Sequence, residues 1–190
     1  MTTIANLQQA FTAGTDQPSA LASRQLKLAL DPAGEGARVF LALSDEAIRV
    51  AATHADERFL AGGAAGPRAL EGITISIKDL FDVAGEVTTA GSTVLRSRAP
   101  ATADAPAVAR LRAAGAVLFG RTNMVEFAFS GVGINPHYGT PRNRWQREDA
   151  GGHVPGGSSS GAGVSVADGM CVAALGTDTG GSVRIPAAFN

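Results

Sequence analysis

Apolar positions change their spacing twice along the chain. Ile4 to Ala13 and Ala20 to Leu30 carry helical spacing, interrupted by the turn-prone Gly14-Thr15-Asp16-Gln17-Pro18. Ala37 to Leu43 is short and apolar and reads as a strand. Ser44 reads as an N-cap, with Asp45 and Glu46 in the first turn of a helix that runs to Leu60 and stops at Gly62-Gly63. From Glu71 the period becomes two. Ile73, Ile75 and Ile77 alternate with Thr74, Ser76 and Lys78, which predicts a half-buried strand ending in Lys78 on its polar side. A long loop follows from Asp79 to Ala103, with Gly85 and Gly91 as turn points. Asp104 is placed to cap a helix with Pro106 near its start and Gly115 past its end, and Ala116 to Arg121 reads as the next strand. Strand, crossover helix, strand implies parallel α/β pairing. Residues 131–157 are loop-like, with Asn135-Pro136, Thr140-Pro141 and Trp145. Pro155 to Gly163 then leads into a small-residue helix ending near Asp168, and Cys171 to Leu175 reads as a buried strand running into Gly176-Thr-Asp-Thr-Gly-Gly-Ser182. No repeat at solenoid periods interrupts this order.

Composition narrows the class. With 190 residues, 45% hydrophobic and 17% charged, the chain has material for a real core. A net charge of -1 leaves no electrostatic footprint for nucleic acid or an anionic membrane. Cys171 is the single cysteine, so it makes no internal disulfide and no thiolate metal site; it reads as a small hydrophobe in a reducing, cytoplasmic compartment. Met1 to Phe11 lacks the basic start and apolar run of a signal peptide, and no stretch is long enough to span a bilayer. Nothing here calls for a metal or a cofactor. Glycine is the informative count: ten of the 24 fall in the last 40 residues, where backbone must turn tightly or approach a ligand.

Gly157-Ser-Ser-Ser-Gly161 admits several chemistries. A flexible linker would not run into a buried helix and strand. A phosphate loop of the Walker type needs Lys-Ser/Thr after its last glycine, and Ala162-Gly163 stands there. A nucleophile elbow centred on Ser159 needs a strand before it and a histidine after it, yet His54, His137 and His153 all precede it. His54, on its helix, reads as a surface residue. The remaining reading joins this loop to the second glycine turn. Thr179, Gly180 and Gly181 offer converging amides beside the Ser182 hydroxyl, the geometry of an oxyanion hole. A serine nucleophile needs a base, and a desolvated strand-end lysine can serve if burial lowers its pKa. Taken alone, Lys78 reads as a structural ion pair with Asp79 or Asp82.

Four segments together resemble the amidase signature family: Ile77-Lys78-Asp79, Gly120-Arg-Thr-Asn-Met-Val-Glu-Phe127, Pro155-Gly-Gly-Ser-Ser-Ser-Gly161 and Gly176-Thr-Asp-Thr-Gly-Gly-Ser-Val-Arg-Ile-Pro-Ala187. The likeness runs from about residue 37 to the end. It implies an α/β amidase-signature fold, a mixed central sheet flanked by helices and incomplete in this chain. Residues 1–70 would form a mostly helical N-terminal part, and residues 71–190 the first part of a core continuing in a longer polypeptide, without which activity is not expected. The resemblance makes Lys78 the base, Ser158 a bridging serine in a cis peptide and Ser182 the nucleophile, at the family's spacing of 24. It makes Thr179, Gly180 and Gly181 the oxyanion-hole amides, and aligns Ala128, Phe129 and Ser130 with a segment lining the site. Ser158 would then sit within hydrogen-bond reach of both Lys78 and Ser182, about 2.6–3.2 Å. Asp178 and Arg184 read as braces for the turn. Where the family has a proline after the asparagine, this chain has Arg144 after Asn143, which implies a different loop shape. The implied activity is hydrolysis of a small-molecule amide through an acyl-enzyme, without cofactor or metal. The alternatives are an amidotransferase component passing ammonia to a partner and an inactive binding module; homo-oligomerisation is left open.

Overall fold

The computed structural model describes residues 3–62, 66–148 and 151–190. Its centre is a four-stranded mixed sheet in the order β1-β3-β2-β4, formed by β1 (Phe40–Ala42), β2 (Thr74–Lys78), β3 (Val117–Thr122) and β4 (Ala173–Leu175). β2 runs parallel to both β3 and β4, and β1 runs antiparallel to β3. Helices α1 (Ile4–Thr12), α2 (Pro18–Ala29), α3 (Gly36–Val39), α4 (Asp45–Ala61), α5 (Pro106–Ala113), α6 (Ser160–Ala167) and α7 (Arg184–Phe189) surround it. The expected strand–helix–strand unit is β2–α5–β3. Among the described residues, no helix is long and apolar enough to cross a membrane.

Local chemistry explains most boundaries. Ser44 caps α4 by accepting from the Ala47 amide, and Gly62 ends it at φ 58°; Gly63 lies outside the described residues, as does Met1. Asp104 does not cap α5. It accepts from the Ala84 amide at 2.8 Å and pairs with Arg112 at 2.7 Å, tying the preceding loop to the helix instead. The stretch read as one strand from Ala37 is split, with α3 preceding β1. Gly36 packs so closely on the Ala29 carbonyl that a Cβ would lie 1.8 Å from its oxygen, and the Arg38 and Val39 amides bond back to the Glu35 carbonyl. Helix α7 was not legible, because Pro186 sits in it; at the third position its missing N–H breaks no helical bond.

The alternation in β2 separates two buried surfaces, not core from solvent, and every residue of the strand is buried. Ile73, Ile75 and Ile77 pack with Leu7, Phe11 and Val108. On the other face Thr74 donates to Gln25 at 2.7 Å and Ser76 meets Ser165 of α6 at 3.1 Å. Cys171 is buried before β4, and Ala173 to Leu175 are half-buried in this chain, with Ala173 and Leu175 packed against the same cluster as Ile75 and Ile77.

Beyond β2, a buried ion pair anchors the long loop. Arg121 Nε lies 2.9 Å from Asp79 Oδ1, with side chains 4% and 1% exposed. Asp79 also accepts from the Thr89 and Gly91 amides, at 3.2 and 3.0 Å, and from the Thr89 hydroxyl. Removing one partner of such a pair strands the other charge. Asp79→Ala is therefore expected to destabilise the chain by about 3–5 kcal/mol, read as a lower urea midpoint; an unchanged midpoint would contradict the buried-pair assignment.

Candidate active site

Strands β2 and β4 are parallel and in register, Ile77 opposite Leu175, so both deliver their next residues to the same end of the sheet. Carboxyl ends of parallel strands are where open α/β sheets build sites. Lys78 leaves β2 there with 0% exposure. Its Nζ donates to Ser158 Oγ at 2.7 Å and to Thr177 Oγ1 at 2.7 Å. Neither acid considered as an ion-pair partner reaches it: Asp79 is held by Arg121, and Asp82 accepts from the Thr88 hydroxyl at 2.8 Å. Among the described residues Lys78 has no ion-pair partner, so the structural-ion-pair reading of Lys78 is not what the fold contains. Burial pushes its amine down from 10.5 to about 8, against the weaker opposing pull of the Asp178 carboxylate.

The Gly-Ser loop aims one of its three serines at the lysine. Ser158, Ser159 and Ser160 are all buried. Ser159 and Ser160 donate to the Thr177 and Asn123 carbonyls, each at 3.4 Å, leaving Ser158 on Lys78. The Gly157–Ser158 peptide is cis. Glycine is required at 157 by close approach: a Cβ would lie 2.8 Å from the Gly133 amide nitrogen and from a Val125 methyl. Two backbone bonds seat the segment, Gly157 N to Gly131 O at 2.7 Å and Val125 N to Ser158 O at 3.0 Å. They also place the loop carrying Ala128, Phe129 and Ser130 against Ser158. Phe129 is 93% exposed in this chain, and Ser130 accepts from the Val132 amide.

The second glycine turn is braced from within. Asp178 accepts from the Gly181, Val183 and Arg184 amides at 2.7, 3.1 and 3.1 Å, and from two Arg184 guanidinium nitrogens at 2.9 Å. The Arg184 side chain first, then these amides, holds the Asp178 carboxyl well below the usual carboxylate range. This is the bracing role expected for the pair. It also engages the Gly181 amide; among the described residues the Thr179, Gly180 and Ser182 amides have no acceptor. Ser182 docks beside the Gly-Ser loop through the Ser159 amide, which donates to its carbonyl at 3.1 Å. Among the described residues no hydrogen bond joins the Ser158 and Ser182 hydroxyls, so only the lysine half of the expected link is formed. Asp178 and Arg184 fix the backbone of this turn, and among the described residues the Ser182 hydroxyl has no hydrogen-bond partner. Thr177 was missed in the sequence. It lies in the quoted Gly176 motif, and only the register of β4 with β2 brings it to Lys78.

Elsewhere, buried Asn143 donates to the Phe189 carbonyl at 3.0 Å and accepts from the Trp145 amide at 2.8 Å, while exposed Arg144 reaches the Ala167 carbonyl. Among the described residues no group of three or more His, Cys, Asp or Glu side chains is placed to hold a metal ion.

Residues 34–190 match the family model described as Amidase. A 2-amino-5-chloromuconic acid deaminase of Comamonas testosteroni is 47% identical over 141 residues, covering 74% of this chain and 29% of that protein. A glutamyl-tRNA(Gln) amidotransferase component of Syntrophobacter fumaroxidans is 49% identical over 120 residues, 63% of this chain and 24% of its own length. The native peptide amidase of Stenotrophomonas maltophilia superposes with a TM-score of 0.85 at 36% identity, over 98% of this chain and 38% of that one. The chain thus spans less than a third of the length of these curated relatives. A match running through both glycine turns and the strand-end lysine places the chain in the amidase signature family.

Proposed function

We propose that this chain carries the catalytic machinery of an amide hydrolase whose polypeptide continues as in its relatives. The observation that carries the reading is a fully buried lysine bonded to two hydroxyls and to no carboxylate. With its pKa lowered to about 8, Lys78 is neutral often enough near neutral pH to act as a base. In the proposed cycle Lys78 takes the Ser158 proton as Ser158 takes that of Ser182. The Ser182 oxygen attacks the amide carbon, and the oxyanion is met by the amides around Thr179 to Ser182. Collapse of the tetrahedral intermediate breaks the carbon–nitrogen bond, and the proton returns through Ser158 to the leaving ammonia or amine. Water, deprotonated by the same route, then releases the acid and restores Ser182. Rotation of the unbonded Ser182 side chain supplies the missing contact with Ser158. The Thr179, Gly180 and Ser182 amides are the better oxyanion donors, Gly181 being held by Asp178.

Small-molecule amides are the proposed substrates, with Ala128, Phe129 and Ser130 at the edge of the site. The second reading, a component of an amidotransferase, is favoured by the identity to the glutamyl-tRNA(Gln) amidotransferase of Syntrophobacter fumaroxidans. Ammonia release from a panel of aliphatic, aromatic and amino-acid amides by the full-length protein separates the two. Turnover of simple amides by the protein alone is expected; hydrolysis confined to glutamine and dependent on added partner proteins would overturn the hydrolase in favour of the transferase.

A further inference from the structure

Lys78 meets two hydroxyls at the same distance, and the proposed chemistry uses only one of them. A neutral amine has two N–H donors and a single lone pair, on a carbon–nitrogen bond that rotates freely. To act as a base toward Ser158 it must turn the lone pair to that hydroxyl, and an N–H must then find another acceptor. Among the described residues, the second acceptor on Nζ is Thr177 Oγ1. Thr177 is β-branched and stiff at χ1. Its carbonyl is also tied to the Ser159 hydroxyl, so the acceptor is fixed relative to the Gly-Ser loop.

We propose that Thr177 is a positioning residue for the Lys78 amine, accepting one N–H so that the lone pair faces Ser158. This rests on the reading of Lys78 as the base. Thr177 accepts in both protonation states. Ser158 reverses, donating to the neutral amine and accepting from the ammonium. Ser76, one turn of the pleat earlier on the same strand face, shows the contrast: its partners are Ser165 and Cys171, with no ionisable amine between them.

Few charges face this amine. Asp178 acts on it from the turn after β4, itself neutralised by Arg184. The Asp79–Arg121 pair closes the ends of β2 and β3, and the Gly-Ser loop and the start of α6 present hydroxyls. None of these is changed by a substitution at Thr177.

The consequence has a sign that mere loosening would not share. Removing the Thr177 hydroxyl deprives the ammonium of an acceptor and leaves the site dry, so the Lys78 pKa falls further. Water entering a disrupted site would raise it. In the full-length protein, lysine labelled with 13C at Cε, with the Lys78 resonance assigned by its absence from Lys78→Arg, gives a signal to follow with pH. Thr177→Val is expected to lower the Lys78 pKa by about one unit or more, and Thr177→Ser to restore it. In the full-length protein, the acid limb of Ser182 labelling by a fluorophosphonate should move to lower pH with the titration, while the plateau rate falls at least about tenfold. If Thr177→Val does not fold, Thr177→Ala, which removes the same hydroxyl without adding an ionisable group, carries the test with the same sign. A Lys78 titration that stays put or rises, in a protein that still labels at Ser182, overturns the role of Thr177 and leaves the hydrolase reading standing. No labelling of the wild-type protein overturns the hydrolase reading, and the positioning role with it.

Discussion

Lys78→Ala is expected to lower kcat/KM of the full-length protein by about two to four orders of magnitude, and Lys78→Arg to recover none of it. Arginine keeps the positive charge and fills much of the same space, but a guanidinium does not deprotonate in this range. Loss in both variants therefore points to proton removal and not to charge. The pH profile of the wild-type protein carries the same information. The amine works when neutral, so activity should fall tenfold per unit below about pH 8 along a single ionisation. Stability should follow a related course. The folded-state pKa is depressed, so as pH falls from 10.5 the unfolded chain takes the proton first. The penalty of the buried charge is complete below about pH 8 and relieved as pH rises through 10.5, so this group's contribution to stability increases across that window. Near-normal turnover by Lys78→Arg, or flat activity from pH 6 to 9, would remove Lys78 from the chemistry.

Ser182→Ala should form no acyl-enzyme at all, whereas Ser158→Ala should slow acylation yet leave a residual rate. The distinction follows from position. Ser182 supplies the atom that bonds to carbon. Ser158 passes a proton, and a water in the space left by its hydroxyl can bridge in its place. Intact mass after rapid quench with a slowly deacylating amide reads both, as an adduct missing from Ser182→Ala and delayed in Ser158→Ala. An adduct of normal yield on Ser182→Ala would mean that another serine attacks.

Short-range chemistry made much of this fold legible. Ser44, Pro106 and the isoleucine alternation in β2 act within a few residues of themselves, and their elements stand where the pattern put them. Misreadings arose where a distant segment decides the outcome. Thr74 and Ser76 look solvent-facing until Gln25 and α6 cover them. Asp104 looks like a cap until the Ala84 amide and Arg112 claim it. In the site, Lys78 and Ser158 stood out through their motifs, but Thr177 depends on the alignment of β4 with β2, which no local pattern encodes. The engagement of the Gly181 amide by Asp178 is likewise a property of the folded turn.

The most direct measurement is the residue modified when the full-length protein reacts with a fluorophosphonate, mapped by peptide mass spectrometry. A single adduct on Ser182, formed faster as pH rises through about 8 and lost in Lys78→Ala, is the predicted result. An adduct on Ser159 or Ser160, or no adduct on a protein that folds and binds an amide, would contradict it.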